Sequence, residues 1–158
     1  MTKNTKYSII GGVSNDKQKE DSIMVYITGV HALNLNCSLD TPGDWHQSAI
    51  QWHTPKTKNI NETIWLDYGI ESNSHVPENP GTHYIANHIR ACLDLIYDGN
   101  FVIPQGMRKN FIVYEKYDKE IFEKVAMLQN HENWKKIDQF MCSEWYMKWV
   151  RFKKSKGL

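Results

Sequence analysis

At 158 residues, with 41% apolar, 12% aromatic and 23% charged side chains, the chain suits one domain that buries about 70% of its unfolded surface. That composition excludes a disordered protein. No apolar run approaches the roughly 20 residues that span a bilayer, so no membrane association is expected. The net charge of +1 hides a division: residues 1–39 carry 4 basic and 3 acidic groups, 40–98 carry 3 and 8, and 99–158 carry 12 and 7.

Residues 1–22 are polar, contain Gly11-Gly12 and lack a signal-peptide core, so they read as a flexible leader ahead of one globular domain over 23–158. The β-branched run 23–28 predicts a strand ending at Gly29, and 31–37 fits a strand or a short helix. Asp40-Thr-Pro-Gly-Asp44 is turn chemistry. Short strands are expected at 48–52 and 63–68, and a loop over 71–81. From Thr82 the pattern turns helical, with Ile85, Ile89, Cys92, Leu93 and Ile96 on one face and Gly99 as the stop. A strand is expected at 110–115, a helix from Asp118 to about 130, and a last helix from Asn133 to about 152. Short strands first and helices second favour an α+β fold over a doubly wound sheet. The isolated thiols Cys37, Cys92 and Cys142 form no CxxC pair, which points to a cytoplasmic location.

Six of the seven histidines fall within 31–88, and histidine is the side chain poised for proton transfer or metal ligation near neutrality. Asp44 and His46 project to the same side of an extended segment, so the pair either orients an imidazole for base chemistry or closes a turn beside an exposed ring. His31, at the end of the first strand, is either a binding group on a crevice or a hydrogen-bonded rim residue. His83, Asn87 and Arg90 share a helical stripe, with His88 offset from it. Arg90 either faces the Asp44/His46 region or pairs with Asp94 at i+4, for about 0.3–0.5 kcal/mol on an exposed surface. Under an enzyme reading, His31, Asp44, His46, His88 and Arg90 serve a metal-assisted hydrolase or a nucleic-acid-processing enzyme, with a divalent metal as cofactor. Outside that reading no cofactor is expected. P-loop, dinucleotide, GxSxG and HExxH patterns do not occur.

The C-terminal end mixes aromatics with Lys148, Arg151, Lys153, Lys154 and Lys156. These cations either complement the helix dipole or form a patch for nucleic acid or an acidic protein surface, and the overall pI near 7.7 weakens the nucleic-acid version. Six large aromatics between Trp134 and Phe152 exceed what one helical face holds, so at least one of Tyr146, Trp149 and Phe152 is expected in solvent. Tyr146, Trp149, Arg151, Phe152 and Lys154 are the candidate partner-binding residues.

The segments VYITGVHALNLNC, GDWH, NHIRACLDLI, QGMR and FMCSEWYMKWVRFKK resemble a family of small bacterial proteins over residues 24–153. The family has no established catalytic motif, so the resemblance assigns no residue a role. Its members lie in mobile or defence-type loci beside nucleotidyltransferase-like toxin genes. The resemblance therefore implies a protein partner and a neutralising, antitoxin-like role.

Overall fold

The apolar run at Val25–Ile27 forms β1 and is followed immediately by a one-turn helix, α1, at Gly29–Leu33. Three further strands follow, β2 (Thr57–Asn59), β3 (Ile70–Asn73) and β4 (His83–Ala86), then helices α2 (His88–Tyr97), α3 (Asp118–Ala126), α4 (Trp134–Trp145) and α5 (Met147–Lys156). This computed structural model describes residues 24–43, 45 and 50–158. The leader over 1–22 and the candidates Asp44 and His46 lie outside the described residues.

The sheet runs β2-β1-β4-β3, with β1 and β4 parallel at its centre and antiparallel strands on both edges. Burial explains the order. Tyr26, Ile27, Ile85 and Ala86 of the central strands are buried, whereas the edges are short and polar, which blunts their pairing with other chains. Helix α2 leaves β4 after one residue, and its residues 88–96 are all buried. Asn87 starts it: its side-chain oxygen accepts the Arg90 N–H at 2.9 Å. The chain is an α+β domain, the sheet coming from the N-terminal half and the main helices from the C-terminal half. No helix among the described residues is long and apolar enough to cross a membrane.

Several elements differ from expectation for identifiable reasons. The helix expected from Thr82 begins only at His88, because 83–86 pair with both β1 and β3, so His83 and Arg90 share no helical stripe. Residues 63–68 turn instead of extending. Leu66 has φ 48°, and the carbonyls of Leu66 and Tyr68 both point at Arg90. Gly69 closes that turn at φ +69°, and a Cβ there would lie 2.7 Å from Arg90 Cβ, so no larger residue fits. The expected strand at 48–52 is not formed over its described residues 50–52, and β2 follows at Thr57–Asn59. The strand expected at 110–115 is replaced by a π-turn over Met107–Phe111, closed by Ile112 N–H donating to the Met107 carbonyl at 2.6 Å.

The last helix is two helices. Tyr146 adopts φ 50° and ψ −128°, and α5 folds back along α4. The break buries aromatics that one straight helix would leave exposed. Trp149 is 0% exposed, packs against Phe122 at 5.4 Å and Trp134 at 6.2 Å, and donates its indole N–H to Asp138 at 2.7 Å.

Candidate partner-binding surface

The buried polar side chains are committed to holding the fold. Arg90 is 0% exposed, and all five of its side-chain N–H groups have acceptors. Nε donates to Asp94 at 2.8 Å, one terminal nitrogen to the carbonyls of Leu66 and Tyr68, and the other to the hydroxyls of Tyr26 and Thr63. The second oxygen of Asp94 accepts from Tyr26 at 2.8 Å and Thr28 at 2.6 Å. Burial, and then the Asp94 charge, pushes the Tyr26 hydroxyl far above its usual range. One guanidinium thereby ties β1, the 63–68 turn and α2 together.

His88 and His31 act as latches on the long segment between α1 and β2. The His88 Nε2–H donates to the Leu35 carbonyl at 2.7 Å, and its Nδ1 accepts from Thr41 at 2.7 Å. His31 Nε2–H donates to the Gln51 carbonyl, and its Nδ1 accepts the Lys56 N–H at 3.1 Å. Both rings are therefore of one tautomer, and burial lowers the His88 pKa. His31, His88 and Arg90 share no side-chain hydrogen-bond partner. Among the described residues no group of three or more His, Cys, Asp or Glu side chains is arranged to hold a metal ion. His31, His88 and Arg90, the described candidates of the enzyme reading, thus each hold hydrogen bonds that tie segments of the fold together.

The partner-binding candidates separate into two classes. Of the three aromatics among which at least one was expected in solvent, Trp149 is in the core and Phe152 is half-buried against Phe122 at 5.3 Å. Arg151 and Lys154 are exposed, and Tyr146 is 63% exposed. The backbone angles at Tyr146 belong to a region that side chains with a Cβ rarely occupy and that costs about 1–3 kcal/mol. A large apolar ring thus stands in solvent where glycine would relieve strain, at the knuckle between two helices.

What surrounds the knuckle was not legible from the residue pattern. Glu144, the residue two before Tyr146, accepts the backbone N–H groups of Gly106 at 2.8 Å and Arg108 at 3.2 Å. It docks the π-turn beside the helix break, and a cleft of about 350 Å³ lies between them, lined by Arg108, Lys109, Tyr146, Met147, Lys148 and Arg151 among others. The one local sign was Gly106, whose φ of 83° opens the π-turn. Arg108 and Lys148 share the carboxylates of Glu115 and Asp118. Lys109 and Arg151 have no ion-pair partner among the described residues. The arrangement can bind an anionic, partly apolar surface. Compared with known proteins, the chain matches no family model, no curated protein and no solved structure.

Proposed function

We propose that the chain is a cytoplasmic partner-binding protein whose α4–α5 knuckle contacts an acidic surface of another protein. The observation that carries this reading is Tyr146, an exposed aromatic in a strained backbone position with Met147 and Arg151 beside it. Tyrosine and arginine are the side chains that most often anchor protein interfaces, and strain at an exposed residue is retained where the side chain has work to do. The partner implied by the family resemblance is a nucleotidyltransferase-like toxin, and the role is its neutralisation. Free thiols at Cys37, Cys92 and Cys142 support a reducing compartment.

The test separates binding from folding at one residue. Tyr146→Gly should raise stability by about 1 kcal/mol, because glycine relaxes the positive φ. It should weaken the complex with the toxin-like protein at least tenfold, as loss of an interface anchor does. Co-expression should relieve toxin-induced growth arrest with the natural chain and not with Tyr146→Gly. Failure to form a complex, or a complex indifferent to Tyr146, overturns the reading.

A further inference from the structure

Three hollows run in line along one side of α5. The first is the knuckle cleft. The second, of about 410 Å³, lies between α3 and α5 over Phe122 and Phe152 and shares Lys148 and Arg151 with the first. The third, of about 280 Å³, adjoins the second at Phe152 and reaches Met127 and Leu158. Together they make a groove, bounded by the π-turn at one end and by α3 beyond it, that extends the length of α5, about 15 Å for ten residues. Its floor is apolar, and it is edged by side chains exposed in this chain, Met147 at 57% and Met127 at 50%.

The charge of the groove is one-sided. Helix α5 has five cations and no acid. Lys148 is matched by Glu115 and Asp118, and Lys153 by Asp138 at 2.5 Å. Arg151, Lys154 and Lys156 have no carboxylate partner among the described residues. On the opposite wall, Glu123 lies 4.0 Å from Lys119. Of the three cations without a carboxylate partner, Arg151 and Lys156 line the hollows, so the uncompensated charge on the α5 wall is positive.

We infer that this groove receives an amphipathic helix of the partner, about three turns long, with its apolar face on Phe122, Met127 and Phe152 and acidic side chains along the flank that meets α5. The occupant must bring its own satisfied backbone. Over the second and third hollows the walls are mainly α3 and α5, helices whose interior N–H and C=O groups are paired internally, so they offer no sheet edge to which an extended strand can bond. A helix meets that condition, and its i, i+3, i+4 side chains match a groove between helices. This inference rests on the partner-binding reading for its biological sense, but the groove itself is testable without the partner.

The full chain is titrated into three labelled synthetic 18-residue peptides, followed by fluorescence anisotropy. One is a Leu/Glu helix with leucine on a single face, the second has the same composition in an order without an apolar face, and the third replaces glutamate by lysine. The Leu/Glu helix should bind at least tenfold more tightly than either control. Met127→Asp, and Arg151→Glu together with Lys156→Glu, should each weaken it at least tenfold with the far-ultraviolet circular dichroism unchanged. Equal binding of the reordered peptide, no binding of the Leu/Glu helix, or indifference to Met127→Asp overturns the groove. A dimer by light scattering that Met127→Asp dissociates assigns the groove to a second copy and likewise overturns it. Loss of peptide binding with the toxin complex intact removes the groove and leaves the partner reading. Loss of the complex with peptide binding intact does the reverse.

Discussion

At Arg90 the interior of the protein depends on one charge. A buried ion pair contributes little beyond an apolar pair of equal volume, yet removing one partner strands the other in low dielectric and costs about 3–5 kcal/mol. Arg90→Leu would leave Asp94 with its charge buried, and would deprive the carbonyls of Leu66 and Tyr68 of a donor. The urea midpoint of Arg90→Leu should fall by an amount in that range, and a loss under about 1 kcal/mol would show that water reaches the network. The pairing with Asp94 was legible from the i, i+4 spacing, but its burial was not. The other acceptors come from positions 26, 63, 66 and 68, which no local pattern connects to α2. For the same reason the hydrogen bonds of His31 and His88 to distant segments were not legible in the sequence. An imidazole with a carbonyl at one nitrogen and a donor at the other leaves no trace in spacing.

Elements fold as their neighbours permit, and the segment over 34–56 shows this. It contains little regular structure among its described residues, so its position depends on side-chain latches. His88 holds Leu35 and Thr41, His31 holds Gln51 and Lys56, and Ser38 binds Glu71 through both its hydroxyl and its N–H. Trp45 fills the space above, stacked on Phe111 at 3.8 Å. The His88 latch requires a neutral ring. Burial lowers its pKa below the ordinary 6.5, partly opposed by the Leu35 carbonyl and the Glu71 charge. As pH falls through about 6.5 the unfolded chain takes up a proton that the folded chain refuses, so stability declines with falling pH. The denaturant midpoint should be lower at pH 5.5 than at 7.5, and His88→Gln, which keeps a donor for Leu35, should shrink that difference. An unchanged difference would move the titration to another group. At this scale the α2 and α3 helices and β1 were readable from periodicity. The break between α4 and α5 was not, since Trp134, Ile137, Met141, Trp145, Trp149 and Phe152 keep helical spacing straight through Tyr146 and no glycine or proline marks the turn. Only the surplus of aromatics hinted that one face could not hold them.

Across the whole molecule the charge division of the sequence becomes a division of layers. The acidic stretch 40–98 builds β2 to β4 and α2, while the basic stretch 99–158 builds the π-turn and the helices α3 to α5 that carry the proposed surface. Some of this is settled internally, by Lys56 and Lys58 on Asp98 and by Lys116 on Asp40, and the cations of the α5 wall remain. A field of that kind governs encounter more than residence: charges at a rim speed association and are screened by salt, whereas a buried anchor sets how long the complex lasts. The two parts of the knuckle should therefore separate in kinetics. Arg151→Glu together with Lys154→Glu should slow association with the toxin-like partner by about tenfold at 50 mM salt and by much less at 300 mM, where the screening length is roughly halved or better. Tyr146→Gly should leave the association rate nearly untouched at both salt concentrations and raise the dissociation rate instead. Surface-immobilised kinetics with the purified pair measure both rates directly. If charge reversal changes only dissociation, or if association does not respond to salt, the cations of α5 serve the helix dipole and the surface of its hairpin, and the attraction lies elsewhere on the molecule.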